Sequence, residues 1–231
     1  MKNRFDFKQF SICQDQCGMK VGTDGVLLGA WADGGRRILD IGTGTGIIAL
    51  MMAQRFPDAA IDAIEIDHDA CRQAAGNIAA TPFADRIRIH ECPIQHFQPT
   101  MRYDAIVSNP PYFINSMKNP DKKRATARHT DTLSPRDLFM TAEKMLDENG
   151  IFSIIIPTDC AEQFIAESCF LGFHNCKRFD IKTTGSKTPS RVLAAFTKNR
   201  QATYIRKEEA LMQANGEKTE WYRQLTEAFY L

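Results

Sequence analysis

No apolar run in this chain of 231 residues approaches the roughly 20 residues of a membrane span. Residues 1–20 alternate charged and aromatic side chains and contain no apolar core of a leader peptide, so a cytoplasmic protein is expected. The cysteines number seven, an odd count without a C-x-x-C pair, which argues against a disulfide framework and against a structural zinc site. Reduced thiols, several of them filling the core, are the expected state. The five histidines include no pair at metal-ligand spacing, so no metal is expected. Neither sign of charge dominates: 29 basic residues face 28 acidic ones, for a formal net charge of +1. Such a balance neither demands nor excludes a nucleic-acid partner, because a local basic stripe suffices for phosphate contact. Internal repeats, low-complexity tracts and linkers are also missing, so one domain covering residues 1–231 is expected.

Against this plain background one tetrapeptide stands out: Asn109-Pro110-Pro111-Tyr112, directly after the apolar stretch 103–108. Each proline fixes its own φ and biases the residue before it to extended conformations. The Asn109 side-chain oxygen and the Pro110 carbonyl are thereby expected to face one point, as two rigid acceptors for one NH2 group. An exocyclic amine on adenine, or an amide nitrogen, is a weak nucleophile because its lone pair is delocalised. Acceptors already in place stabilise the positive charge that grows on such a nitrogen as it attacks, and losing one costs on the order of 3 kcal/mol in the barrier. Tyr112 offers an aromatic face for a planar substrate, worth about 1 to 3 kcal/mol per base. Taken alone, the same residues would also suit a surface turn.

The segment Asp40-Ile41-Gly42-Thr43-Gly44-Thr45-Gly46 narrows the choice. Residues 36–41 read as a short buried strand and residues 47–56 as an apolar helix, which puts the glycines on a strand-to-helix turn where a ligand can touch backbone. Gly42, Gly44 and Gly46 remove side chains at that turn, and the helix start offers unpaired amides. A dinucleotide loop would follow G-x-G-x-x-G, but here the third glycine comes one residue early, with Ile47 after it. Glu65, near the end of the next apolar run, can accept from both hydroxyls of a ribose. Glycine bend, ribose acid and Asn-Pro-Pro-Tyr in this order point to transfer of a methyl group from S-adenosylmethionine to a planar amino nitrogen.

Strand candidates at 36–41, 59–65, 86–90, 103–108 and 151–156 alternate with helix candidates from Ile47, at 68–80 and at 134–146. The alternation predicts a parallel sheet with helices on both faces. Ser134 and Pro135 suit a helix start, with Leu138, Phe139, Ala142, Met145 and Leu146 as one apolar stripe. Beyond it, 161–171 reads as a helix, 178–181 and 191–197 as a strand pair, 202–206 as a further strand, and 220–231 as a terminal helix. Between residues 118 and 129 the chain carries Lys118, Lys122, Lys123, Arg124 and Arg128 against the single acid Asp121. Such a run is often no more than a solvated surface. Next to the amine-binding motif it is assigned to RNA phosphate contact.

Larger blocks carry a family likeness. Phe7-Lys8-Gln9-Phe10, the stretch Met19-Lys20-Val21-Gly22-Thr23-Asp24-Gly25-Val26-Leu27-Leu28-Gly29-Ala30-Trp31-Ala32, the glycine loop, Ser108 to Tyr112, and the ending Leu225-Thr226-Glu227-Ala228-Phe229-Tyr230-Leu231 resemble the bacterial valine-tRNA adenine N6-methyltransferase family over nearly the whole chain. The resemblance implies a Rossmann-like class I methyltransferase fold, α/β, with a mostly parallel seven-stranded sheet and a C-terminal antiparallel hairpin. It implies methylation of adenine 37 in the anticodon loop of a valine tRNA, with S-adenosyl-L-methionine as donor. It puts Asp40, Gly42, Gly44, Gly46 and Glu65 on the cofactor and Asn109, Pro110, Pro111 and Tyr112 on the target base. It further suggests that Lys20, Thr23 and Asp24 line the cofactor side, with residues 1–32 as an extension covering the pocket. A monomer acting on tRNA away from any membrane is the expected form. Members of this family usually carry an acid just after the third strand to meet the cofactor adenine, whereas this chain has Glu91-Cys92-Pro93-Ile94. Cofactor binding of somewhat reduced strength is the expectation, with the adenine amine paired to a backbone carbonyl, to water, or to an inward-turned Glu91.

Position 37 lies in a loop, so the enzyme pays no base-pair opening and only a few kcal/mol of unstacking. Two enzyme alternatives share Asn-Pro-Pro motifs: N5-methylation of a protein glutamine and N2-methylation of an rRNA guanine. A non-catalytic RNA-binding module on the same fold is the alternative from another class.

Overall fold

The structure, a computed structural model, describes residues 4–15, 20–110 and 133–231. Its centre is an eight-stranded sheet. Strands β3 (Arg37–Ile41), β4 (Ala60–Glu65), β5 (Ile87–Glu91), β6 (Tyr103–Ser108) and β7 (Leu146–Pro157) form parallel pairs in the order β7-β6-β3-β4-β5. Strand β9 (Arg191–Thr197) runs antiparallel between β7 and β8 (His174–Thr184), and β10 (Ile205–Met212) lies parallel to β8 at the edge. A separate two-stranded sheet pairs β1 (Arg4–Asp6) with β2 (Ser11–Cys13).

The parallel strands read as apolar runs because both of their faces are covered. Along β3, Ile38 faces one core and Leu39 and Ile41 the other; along β6, Ala105 and Val107 face the first and Ile106 the second. The first core is closed by α1 (Thr23–Trp31), α2 (Ile47–Arg55) and α6 (Glu220–Thr226), and α3 (His68–Ala79) packs beside β4 and β5. The second is closed by α4 (Pro135–Met145) and α5 (Ala161–Phe170). Helix α4 starts as its sequence requires: Ser134 Oγ accepts from the Asp137 amide at 3.1 Å and Pro135 occupies the first turn. Phe139 from this helix sits edge-on to Phe152 and Phe196, with centroids 5.3 and 4.9 Å away.

The two ends of the chain meet. The Lys8 amide donates to the Phe229 carbonyl at 2.8 Å, and the Phe7 ring stacks on Tyr230 with centroids 5.9 Å apart. Asn77 of α3 joins this corner to the glycine bend, because its side chain bonds both the Cys13 backbone and the Thr45 carbonyl at 2.8–2.9 Å. Among the described residues, no helix is long and apolar enough to cross a membrane.

Four expectations are corrected. Among the described residues the sheet has eight strands where seven were expected, because Ile205–Met212 forms a full edge strand rather than the short piece at 202–206. That strand is rich in charge and is held by ion pairs to its neighbour, Arg206 with Asp180 and Lys182 with Glu208, so apolar patterning cannot reveal it. Strand β8 extends well beyond 178–181, the added positions being histidine, asparagine, lysine and threonine apart from the buried Cys176. The terminal helix stops at Thr226 instead of running to 231, leaving Phe229 free to turn into the core.

Candidate active site

The order of the parallel strands explains where a cleft can form. The chain leaves β3 toward β4 and β5, then crosses back to place β6 on the opposite side of β3. The carboxyl ends of β3 and β6 therefore flank a topological switch point, the usual ligand crevice of such sheets. Register makes the neighbourhood specific: Ile41 pairs with Ser108, so the residues that follow, Gly42 and Asn109, emerge side by side. The Ser108 hydroxyl donates to the Ile41 carbonyl at 2.9 Å and ties the two strand ends together.

Gly42, Gly44 and Gly46 all adopt positive φ, at 74°, 56° and 84°. The bend thus needs glycine for its backbone shape. A side chain on Gly42 would meet no atom within 4 Å and would project into open space, where a ligand can lie against bare backbone. Gly46 instead packs against Ala74 and Ile78 of α3 and starts α2.

Two acids hold the bend from opposite sides. Asp40 is wholly buried; its Oδ2 accepts from Thr43 Oγ1 at 2.7 Å and from the Ala49 amide at 3.1 Å, while Oδ1 has no partner among the described residues. This carboxyl supplies the cap that glycine at the helix start cannot. Burial pushes its pKa up to about 7, opposed by the Thr43 and Ala49 hydrogen bonds and assisted by the nearby Glu65 charge. Its side chain stays beneath the bend and does not line the cleft. Glu65, at the end of β4, accepts from the Gly44 amide at 2.9 Å and from the Ile66 and Asp67 amides at 2.9 and 3.0 Å.

The cleft has two lobes that share Gly42, Gly44 and Asn109. The larger, of about 320 Å³, is bordered by Glu65, Ile66, Asp67, Cys92, Pro93 and Gln95, with Pro110 at its inner edge. Its walls are mostly apolar, as a planar ring requires, and the Glu65 carboxylate is a charged acceptor on its border. Glu91 does not turn inward: its carboxylate lies 2.9 Å from His68 Nδ1 at the surface. The smaller lobe, of about 200 Å³, is bordered by Lys20, Thr23, Asp24, Thr45, Asn109 and Arg191.

Of the residues expected at the site, Lys20, Thr23, Asp24, Gly42, Gly44, Glu65, Asn109 and Pro110 converge on this cleft. Pro111, Tyr112, Lys118, Lys122, Lys123, Arg124 and Arg128 lie outside the described residues. Among the described residues of the amino-terminal block, Lys20, Gly22, Thr23, Asp24 and Gly25 border the cleft, while residues 4–13 pack against α3 and the chain end. Several lining residues were given no site role from sequence, among them Cys92, Gln95 and Arg191. Nothing in their local pattern marks them, since each reaches the cleft through strand order alone.

Comparison with known proteins gives a consistent result. The sequence profile of the family described as Methyltransferase small domain matches residues 21–179. A tRNA1(Val) (adenine(37)-N6)-methyltransferase from Bacteroides thetaiotaomicron is 45% identical over 231 residues, covering 98% of this chain and 97% of its own. One of the same name from Aeromonas hydrophila is 44% identical, with 98% and 97% covered. In fold, the chain is similar to a predicted O-methyltransferase from Agrobacterium tumefaciens, at TM-score 0.71 and 20% identity over 89% of this chain and 96% of that one. It is also similar to the glycopeptide N-methyltransferase MtfA solved with S-adenosyl-L-methionine, at TM-score 0.56 and 13% identity over 78% and 89%.

Proposed function

The chain belongs to the tRNA1(Val) (adenine(37)-N6)-methyltransferase family, and from that premise we propose how its residues carry methyl transfer from S-adenosyl-L-methionine to N6 of adenine 37. The cofactor supplies an electrophilic methyl group on a sulfonium. The fit of the chain to it rests on the bare backbone at Gly42, the apolar larger lobe and the carboxylate of Glu65 at its rim. Gly42 and Gly44 line the approach, Glu65 accepts from the ribose, and Lys20, Thr23 and Asp24 border the amino-acid end. Asp40 and Gly46 serve indirectly, one as a brace beneath the bend and the other as the start of α2.

The observation that carries the reading is the register of β3 against β6, which sets Asn109 beside the glycine bend and on both lobes at once. Asn109 and the Pro110 carbonyl accept from the two hydrogens of the adenine amine and orient its lone pair. Neither group is a base. Once the nitrogen carries the methyl group it is cationic and sheds one proton to solvent, so the chain needs no general base, metal or covalent intermediate. Tyr112 supplies the stacking face and the run from Lys118 to Arg128 the phosphate contacts, with Pro111 stiffening the segment between. The domain spans the whole chain, with residues 20–25 closing one side of the pocket. We take it to act as a monomer in the cytoplasm.

Asn109→Ala tests the assignment. Incubated with labelled cofactor and tRNA, the variant should lose about a hundredfold or more in turnover, the size of losing one preset acceptor. Its cofactor affinity and melting temperature should stay close to those of the native chain. Unchanged turnover would remove Asn109 from the chemistry, and label entering a protein or rRNA fraction in place of tRNA would overturn the substrate.

A further inference from the structure

The smaller lobe, given above to the amino-acid end of the cofactor, also holds Arg191, which has no part in the proposed function so far. Arg191 is the first residue of β9 and pairs in register with Pro157 at the end of β7, so it stands at the same end of the sheet as the glycine bend. Its Nε donates to Asp24 Oδ1, across 167 residues of sequence, and its Nη1 donates to Ser190 Oγ at 3.1 Å. About a third of each side chain in the Arg191–Asp24 pair is exposed, and both border the lobe with Lys20 and Asn109. A guanidinium has five N–H donors and a carboxylate roughly four acceptor sites. Among the described residues, Arg191 Nη2 and Asp24 Oδ2 hold no hydrogen bond within the chain, so each half of the pair keeps one unused edge.

A small cavity that sets a paired guanidinium and carboxylate side by side, with Lys20 also on its border, fits a ligand carrying the opposite pair on a single carbon. The amino-acid end of the cofactor is such a group, with its ammonium and carboxylate on one carbon. We propose that Arg191 anchors the cofactor carboxylate through its free Nη edge while Asp24 takes the ammonium. The assignment rests on the cofactor reading above. Arginine suits the task better than lysine, since its planar fork matches a carboxylate in two parallel bonds. The Arg191–Asp24 contact already orients both groups before the ligand arrives, so little side-chain freedom remains to be lost on binding.

The test compares two nucleosides by titration calorimetry. S-adenosylhomocysteine carries the amino-acid end, and 5′-methylthioadenosine has the same nucleoside and sulfur without it. Arg191→Met should weaken S-adenosylhomocysteine by about tenfold or more, the size of a charged hydrogen bond lost, and leave 5′-methylthioadenosine within about twofold. Arg191→Lys should recover only part of the loss, since an ammonium keeps the charge and not the fork. Should Arg191→Met fail to fold, Asp24→Asn serves the same comparison and is expected to give the same selective loss. Equal weakening of both nucleosides would reduce the pair to a structural clamp between α1 and β9 and overturn the assignment. A loss confined to tRNA binding would make Arg191 a phosphate contact and overturn it as well. If the native chain bound neither nucleoside, the cofactor reading itself would fall, a failure distinct from any change seen only in the variants.

Discussion

Replacing Glu65 by glutamine separates the two jobs its carboxylate is given. In the structure three backbone amides converge on it, Gly44 on Oε2 and Ile66 and Asp67 on Oε1. A glutamine has one acceptor oxygen. If that oxygen keeps Ile66 and Asp67, its NH2 faces the Gly44 amide donor to donor, and the bend loses a fastening. A buried donor left unpaired costs about 1–3 kcal/mol, and the partial exposure of Glu65 favours the lower half of that range. In a domain of this size each kcal/mol lowers the melting temperature by about 2–4 °C. The second job shows in affinity. Exchanging a charged acceptor for a neutral one at the ribose removes about 1.5–3 kcal/mol, so the Kd for S-adenosylhomocysteine should rise between about tenfold and about a hundredfold. Calorimetry and a thermal melt of Glu65→Gln read the two effects independently. A lower melting temperature with an unaltered Kd would confine Glu65 to the glycine bend and refute its role at the ribose.

Three further outcomes are expected. Asp40 has its pKa raised by burial from 3.8 to about 7, so between those values the folded chain holds a proton that the unfolded chain has released. Native stability relative to Asp40→Asn should therefore fall as pH rises from about 4 to about 7 and level off above it, as measured by urea unfolding at a series of pH values; a pH-independent difference would contradict the burial argument. Pro93 borders the larger lobe and caps the short 3-10 turn Ile94–His96, a position aspartate also tolerates. Pro93→Asp should tighten S-adenosylhomocysteine by about tenfold through one charged hydrogen bond to the adenine amine, and calorimetry showing weaker binding would mean the ring edge points elsewhere. Charge reversal at Lys122, Lys123 and Arg124 together should weaken tRNA binding and flatten its salt dependence while leaving S-adenosylhomocysteine binding intact; parallel losses in both would count against a dedicated phosphate contact.

Much of the site was legible in the sequence because it is carried by residues whose chemistry is local. Proline restricts its own φ and that of its neighbour wherever it stands, and three glycines within five residues announce a bend that only glycine can make, as the positive φ at Gly42, Gly44 and Gly46 bears out. Helix α4 was readable through Ser134, Pro135 and a 3.6-residue stripe. Strand β10 was legible only at its first residues, within the expected 202–206, since it is held in place by ion pairs to β8 that no periodicity records. The amino-terminal hairpin escaped for a similar reason: its partners are Asn77, Phe229 and Tyr230, far along the chain.

By itself, then, the order of residues determined the chemistry on offer: a rigid pair of acceptors, a bare glycine turn and a carboxylate after the next strand. The tertiary structure decided which of these share a space. Pairing β3 with both β4 and β6 lines up Gly42, Glu65 and Asn109 at one end of the sheet, and insertion of β9 beside β7 carries Arg191 to Asp24. Backbone conformation and side-chain chemistry are properties of short segments, whereas proximity is set by strand order, which depends on contacts between segments that the chain keeps far apart.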